Sequence, residues 1–457
     1  MNTEEVADLV ATLRTVQASG RTRPVAWRIA QLDGLERLVQ EHEADIVAAL
    51  ADDLRRTPVD AWIADVAPSL AEIEYARKHV KKWMRPLRRS LPLNQLPARG
   101  WVQYEPLGVV LVIAPWNYPF YLALSPLVAA IAAGNCVVVK PSELAPASSA
   151  LMADLLPQYV DPEAVMVVEG DGDTSQALLA QGFDHVLFTG GTEIGRKIMA
   201  AAAPSLTPVT LELGGKSPVY VAADADLGVA ARRIAWVKLM NSGQTCIAPD
   251  YVLVERSVRD RFVETLLTSL AEFRAETPDA GQPIVNERQY ERLTRHLEAS
   301  KGTIIAGGET NDADRTIQPT VILDPDPDEP AMCEEIFGPL LPVLTVDDVD
   351  EAIGFINARS KPLALYAFTG SKAVRRRIAV EVPAGGVVFN HIAMHVLVPQ
   401  LPFGGVGESG MGAYHGEWGF WTFSHRKSVL SKAVKPDPRF LYPPYTQRAL
   451  ALMRRLF

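Results

Sequence analysis

Residues 185–203 read HVLFTGGTEIGRKIMAAAA. An apolar run ends on Gly190-Gly191 and passes at once into an Ala-rich stretch with Gly195 in its first turn. Strand, glycine turn and helix in that order is the unit from which parallel sheets are built, because parallel neighbours need a crossover. The start of such a helix offers free N–H groups and the positive end of its dipole, and glycine lets a phosphate come close. Thr192 stands at the middle glycine position of a GxGxxG fingerprint, so by itself the stretch reads equally well as a tight strand-to-helix turn.

The same unit recurs on either side. VVLVIAP (109–115), NCVVVKP (135–141) and AVMVVEG (164–170) are short, continuously apolar strands with helical runs between them. Such strands belong to a doubly wound parallel sheet buried on both faces. A second α/β set follows, with strands in PVYVAAD, APDYVLVER, GTIIAGG, LLPVLTVD, LALYAFTG and GGVVFN. The change of domain falls near LELGGKSP (211–218), where Gly214 and Gly215 allow a crossing. Residues 3–85 repeat apolar positions at three- and four-residue steps and read as helices. The Pro-rich, then alternating, stretch 88–108 reads as a projecting hairpin.

A chain of 457 residues, 48% hydrophobic and 22% charged, is ordinary globular material for two or three domains. Its net charge of −9 is spread along the chain; the short basic piece RKHVKKWMRPLRR (77–89) reads as a solvated helix face, and nucleic acid is not expected. Three cysteines, Cys136, Cys246 and Cys333, lack CxxC spacing. That argues against disulfides and structural metal, and for a reducing, cytoplasmic setting. The polar N-terminus lacks a signal-peptide core. YLALSPLVAAIAAGNCVVV (121–139) is long and uncharged, but Pro126 and Gly134-Asn135 divide it into a helix of about ten residues, a turn and a strand. No membrane span is expected there, and the C-terminal YTQRALALMRRLF is too short and too basic for one.

Four further stretches could carry chemistry, and each also has a bland reading. VVVKPSELAP puts Lys140 and Glu143 at a strand's carboxyl end, where open α/β sheets bind ligands; lysine can donate to ribose or phosphate, and a carboxylate can accept from a ribose diol. They could equally be a solvent-facing pair. Pro115 and Pro119 stiffen a loop that projects Asn117, a neutral donor suited to an oxyanion, or simply an Asn in a turn. Glu212 lies between two leucines in TLELGGK, where burial would raise its pKa toward that of a general base, unless the strand is an exposed edge. Cys246 follows Asn241-Ser242-Gly243 in GQTCIAPDY, a polar, flexible setting unlike that of a buried structural thiol. Cys136, in an apolar strand, and Cys333, beside two glutamates, read as structural.

The order and spacing of PWNYP, KPSE, FTGGTEIG, LELGGK, GQTC, EEIFGP (334–339) and LPFGGVGESGMG (401–412) resemble the aldehyde dehydrogenase superfamily from about residue 10 to residue 430. GQTCIAPDYVL and YHGEWGFWTFSHRKSVL (414–430) resemble its class 3 branch, which includes fatty and aromatic aldehyde dehydrogenases; the membrane tail of some members is not expected here. The resemblance implies a Rossmann-like doubly wound coenzyme domain (1–87 and 107–212), a second α/β catalytic domain (213–412), a small bridging β element (88–106 and 413–432) and a C-terminal tail (433–457). It implies NAD-dependent oxidation of an aldehyde to an acid, NADP being the alternative. Cys246 would attack the carbonyl to give a thiohemiacetal and then a thioester. Asn117 and the Cys246 N–H would hold the oxyanion, and Glu212 would activate water. Lys140 and Glu143 would face the adenine ribose, and Gly190, Gly191 and Gly195 the pyrophosphate, with Trp116 beside that loop. Glu335 would bind the nicotinamide ribose, with Phe337 near the ring. Many relatives carry Ser or Asn in place of Gly191, which bears on cofactor choice, and Glu143 would repel a 2′-phosphate.

Tyr121, Trp236, Met240, Met394, Val396 and His395 are candidates for an apolar substrate pocket, and NHIAMHVLVPQ (390–400) reads as a loop that lines its funnel or packs beside it. Such a tunnel-like pocket suits medium- or long-chain and aromatic aldehydes. A homodimer is what the class 3 resemblance implies. Three other readings compete. A CoA-acylating relative would lack the Glu212 carboxylate. A non-catalytic NAD-binding protein would have lost Cys246, Asn117 or Glu212. A cofactor-independent cysteine hydrolase would need a histidine base, which only His391 or His395 could supply.

Overall fold

The computed structural model describes residues 3–275 and 281–456; Met1 and Asn2 of the expected N-terminal helix, and Phe457 of the tail, lie outside the described residues. The opening stretch forms the strand His185–Thr189 and the helix Thr192–Ala202. That strand sits within a six-stranded sheet in the order Gly410–Met411, Val209–Glu212, His185–Thr189, Val109–Ile113, Cys136–Lys140, Val165–Val167. All pairings are parallel except that of Gly410–Met411. From Val109–Ile113 the chain winds outward one way to Val165–Val167, then returns to lay His185–Thr189 on the other side. The reversal point lies between Val109–Ile113 and His185–Thr189, and doubly wound sheets bind ligands at the carboxyl ends there.

The strand residues are apolar at every position because both faces are covered. Val110 and Val112 pack into one core with the helices Val25–Glu41, Ala67–Trp83 and Tyr121–Ala133. Val109, Leu111 and Ile113 pack into another with Thr3–Ser19, Gly172–Leu179 and Thr192–Ala202. The membrane-like stretch is the 13-residue helix Tyr121–Ala133, buried at every residue and running through Pro126 without a break. It is therefore longer than Pro126 suggested; a helix hidden on all sides is hydrophobic all round. Among the described residues no helix is long and apolar enough to cross a membrane.

The second sheet has seven strands, in the order Thr303–Ala306, Thr320–Leu323, Leu340–Val346, Tyr251–Glu255, Pro218–Val221, Ala364–Phe368, Gly386–Phe389. Thr320–Leu323, inside QPTVILDP, was not anticipated; its brevity and flanking prolines hid it. Glu212 ends a strand of the first sheet, and Pro218 begins one of the second after only five residues. The carboxyl edge of one sheet thus faces the amino edge of the other. A third, antiparallel sheet joins Leu87–Arg89, Ala98–Pro106 and Ser424–Lys432, the last two paired over nine residues.

Asn135 ties these parts together. Fully buried, it accepts from the Gly108 N–H at 2.9 Å and donates to the Ala130 and Phe423 carbonyls at 3.1 and 3.0 Å. Replacing it with leucine strands the buried Gly108 N–H, at about 1–3 kcal/mol, while the Ala130 and Phe423 carbonyls keep the backbone N–H groups of Gly134, Asn135 and Leu107. Asn135→Leu is expected to lower the urea midpoint by an amount equivalent to about 1–3 kcal/mol; an unchanged midpoint would show that these bonds are not what holds the junction.

Candidate active site

The turn that carries the thiol is built from backbone most residues avoid. Asn241, Ser242 and Gly243 have φ of 52°, 50° and 71° in succession. Left-handed conformations cost energy for residues with a side chain and persist only where the surroundings enforce them. Here the Asn241 side chain donates to the carbonyls of Asn117 and Gln244 at 3.2 and 3.1 Å, and the Ser242 hydroxyl to Gln282 O at 2.7 Å. A Cβ on Gly243 would lie 2.3 Å from Gly338 O, so the turn lies directly against the EEIFGP loop.

Asn117 is buried, and its Nδ2 donates to the Gln244 carbonyl at 3.1 Å, leaving its second amide hydrogen for the cavity. The Tyr118 hydroxyl meets Thr245 Oγ1 at 2.5 Å. Two neighbours on the Pro115–Pro119 loop thus grip the two residues before Cys246. Gln244, to which GQTCIAPDY gave no role of its own, is the turn's internal brace: its side chain donates to Asn241 O and Pro283 O and accepts from Val285 N. Only a fully buried amide in a glycine-rich loop could have betrayed it, and burial is not visible in sequence.

Cys246 is half-buried, and burial, reinforced by the nearby Glu335 and Glu212, pushes its thiol up to about 12. The N–H groups of Cys246 and Ile247 face the sulfur and act the other way. Glu212 is buried with neither carboxylate oxygen hydrogen-bonded, and desolvation lifts its pKa well above the ordinary range. Glu335 is raised to about 8, mainly by desolvation, then by Asp250. Its loop is held by Asp250, which accepts from Ile336 N at 2.9 Å and pairs with Lys216, and by Arg292, which donates to the Glu335 and Ile336 carbonyls at 2.9 and 2.6 Å. Gly214 leaves the room Glu335 occupies, since a Cβ there would fall 2.0 Å from Glu335 Oε2.

Two cavities meet at the thiol. The larger, of about 1140 Å³, runs from Lys140 and Glu143 past Gly190 and Gly191 to Trp116, Asn117, Glu335 and Phe337. Lys140 Nζ bonds Glu143 Oε2 at 2.8 Å, and the Trp116 and Phe337 rings meet edge-on at 5.8 Å. The helix Thr192–Ala202 points its uncapped N-terminus there. Gly191 has open space where a Cβ would stand and an ordinary φ of −74°, so the site has room for the Ser or Asn of relatives. Gly195 does not line the cavity; a Cβ on it would meet Leu213 at 2.6 Å, which makes it a packing glycine. These features fit a dinucleotide: open N–H groups for the phosphates, a lysine and carboxylate for a ribose, and a second carboxylate beside the thiol.

The smaller cavity, of about 150 Å³, is almost wholly apolar and includes Tyr121, Trp236, Met240, Met394 and Val396. His395 lines neither cavity. Its ring is buried without a partner, beside Tyr366 and Phe403, and burial depresses its pKa to about 4. His391 also stays out of both cavities, so neither histidine is placed as a base for Cys246. Leu122, Thr189, Glu212, Leu213 and Cys246 border both cavities. Among the described residues no cluster of three or more metal-ligating side chains occurs.

Fold and site together describe a dinucleotide-binding protein with a thiol where its two cavities meet. The family model "Aldehyde dehydrogenase family" matches residues 1–429, and the chain belongs to that family. It is 48% identical over 445 residues to aldehyde dehydrogenase family 3 member A2 of Rattus norvegicus, covering 96% of this chain and 91% of the relative. It is 46% identical over 458 residues to family 3 member H1 of Arabidopsis thaliana, covering 99% and 95%. A mouse relative called "Aldehyde dehydrogenase, dimeric NADP-preferring" is 45% identical, covering 96% and 98%. Among solved structures, the substrate-bound state of Staphylococcus aureus AldH superposes with a TM-score of 0.94 at 39% identity, covering all of both chains. The chain is an aldehyde dehydrogenase that oxidises an aldehyde to a carboxylic acid with NAD or NADP.

The unpartnered Glu212 makes a prediction about stability. Its folded pKa lies above its unfolded one, so it is not penalised at low pH, and folding stability is lost as pH rises from about 4.5 through the folded pKa. Glu212→Gln removes that loss. The variant is expected to melt higher than wild type at pH 8, with the difference shrinking toward pH 5.5; a difference independent of pH would contradict the burial argument.

Proposed function

We propose that Cys246 is the nucleophile, Asn117 and the Cys246 N–H the oxyanion donors, and Glu212 the base that hydrolyses the acyl-enzyme. The observation that carries this reading is the junction of the two cavities: Cys246 and Glu212 border both, so a thiol and a dry carboxylate face a carbonyl arriving through one cavity and a cofactor lying in the other. Lys140 and Glu143 hold the adenine ribose, Gly190 and Gly191 admit the pyrophosphate, and Glu335, Trp116 and Phe337 set the nicotinamide end. The bound nicotinamide supplies the acceptor for the hydride. Cys246 gives up its thiol proton to water in the cavity, its Sγ adds to the aldehyde carbon, and the carbonyl π electrons move to the oxygen, which takes up negative charge beside the two donors, a device that contributes about 10²–10³ in rate per donor. Glu212, kept neutral by desolvation at low pH and ionised as pH rises, takes a proton from water, whose oxygen then attacks the thioester carbonyl and releases the acid. The carboxylate at Glu212 favours water over CoA as acyl acceptor.

The first sheet with its helices and residues 1–87 serves as the coenzyme domain, residues 213–412 as the catalytic domain, and the antiparallel sheet as the bridging element. The apolar tunnel supports a preference for medium- or long-chain aliphatic and aromatic aldehydes, the class to which the branch resemblance points. We read the protein as a cytoplasmic homodimer, which the "dimeric" relative and the free thiols support; recovery in a membrane or secreted fraction would count against the compartment. Light scattering should return twice the chain mass, and a monomer overturns the assembly.

Reduced-cofactor formation by the purified protein, with NAD and then NADP and with hexanal, benzaldehyde and acetaldehyde, tests the whole. Activity is expected to vanish in Cys246→Ala, and Glu212→Gln to stop near one turnover with a thioester detectable by intact mass. From acetaldehyde to hexanal, kcat/KM should climb by up to about fourfold per methylene, the equivalent of about 0.8 kcal/mol each. Turnover that survives in Cys246→Ala rejects the mechanism, and a preference for acetaldehyde rejects the tunnel reading.

A further inference from the structure

The helical N-terminal region supplies two charged groups to the site's interior. Arg56 and Asp65 form an ion pair whose side chains are 1% and 0% exposed. Asp65 lies on a single π-helical turn, Trp62–Val66, a rare conformation that recurs at functional positions. Ile63 and Ala64, on the same turn, line the apolar tunnel. Asp65 Oδ1 accepts the N–H groups of Phe120 and Tyr121 at 3.0 and 2.9 Å. Arg56 bonds Asp65 with one arm and the Asn117 carbonyl with the other, and its guanidinium lies 4.5 Å above the centre of the Tyr118 ring.

The side-chain bonds of this pair to the rest of the chain thus run to Asn117, Phe120 and Tyr121, the loop that carries Asn117 and the first residue of the helix after it. Asn117 and Tyr118 in turn hold Gln244 O and Thr245 Oγ1, immediately before the thiol. A buried ion pair contributes little net stability against apolar replacements of the same shape, so stability alone does not account for it. We propose that Arg56 and Asp65 are positioning residues for the oxyanion donor: they fix the direction in which the Asn117 amide points and its separation from Cys246. The inference rests on the reading of Asn117 given above. Arg56 suits the task because its planar fork fixes a carboxylate and a carbonyl at once while its flat face meets a ring, which lysine cannot do.

The test is a double-mutant cycle read by stopped flow, as the rate of the first turnover of reduced cofactor at saturating hexanal, on the full-length protein. Asn117→Ala should slow that step by about 10²-fold. Arg56→Met should slow it by about 10-fold or more, Arg56→Lys should recover part of the loss, and the dissociation constant for NAD should stay within about twofold in each. The combined Arg56→Met/Asn117→Ala protein should be no slower than Asn117→Ala alone, because a support has no effect once the group it supports is gone. Losses that multiply in the double variant would assign Arg56 a merely structural role and overturn the proposal. A first turnover unchanged in Arg56→Met overturns it as well. If Arg56→Met does not fold, the same cycle with Arg56→Lys decides by the same criterion. An unchanged first turnover in Asn117→Ala would instead bring down the reading of Asn117 on which the inference stands, and the inference with it.

Discussion

One carbonyl, that of Gln244, accepts an amide hydrogen from Asn117 and another from Asn241, each at 3.1 Å. Asn117 belongs to the loop after the first strand of one sheet, and Asn241 to the turn before a strand of the other. Three successive left-handed residues are needed to bring that carbonyl to the meeting point. They stay there because the glycine among them abuts the Gly338 backbone and both neighbouring side chains are bonded. If this convergence is released, the thiol, the amide and the Glu335 loop lose their common reference. Pre-organisation of this kind lets donors stabilise developing charge without rearranging at the moment of reaction.

The site's electrostatics follow from dryness more than from partners. Cys246, Glu212 and Glu335 are each displaced toward their neutral forms, with desolvation the leading cause, and Glu335 and Glu212 push the thiol further the same way. Three acids in one small volume cannot all be ionised cheaply when water is scarce. Their environment rewards whichever positive or proton-accepting partner enters it. The same dryness leaves Glu212 beside the thiol with no hydrogen bond to restrain its carboxylate.

Much of this was legible in the chain. The strands of the first sheet announced themselves because parallel strands covered on both faces must be apolar throughout, and ligand loops had to follow their carboxyl ends. Lys140, Glu143, Gly190, Gly191, Asn117 and Glu212 were found that way, and all line the larger cavity. What escaped notice depends on distance in sequence. Arg56 and Asp65 stand in a helical region where polar residues read as solvent-facing, and nothing local reveals that both are buried against residues 117–121. Gly195 sat at the phosphate-binding spacing but serves the Leu213 contact. His395 lay in a loop that does reach the tunnel through Met394 and Val396, yet its own ring turns into the core behind it. Which residue of an irregular loop faces the cavity is set by packing and not by any period in the chain.

The strand Ser424–Lys432 pairs residue for residue with Ala98–Pro106, and Gly410–Met411 closes the edge of the first sheet beside Val209–Glu212. The contact between Lys427 and Glu105 spans 322 positions of sequence, and that between Asn135 and Phe423 spans 288. Closing loops of that length costs chain entropy before any of the contacts repay it. On the ribosome, the chain's first sheet must therefore wait, with one edge and the end of its most apolar helix uncovered, until nearly all of the second has been made. The two halves are adjacent in space but interleaved in time, and residues 410–432, late to emerge, complete the part that was begun first.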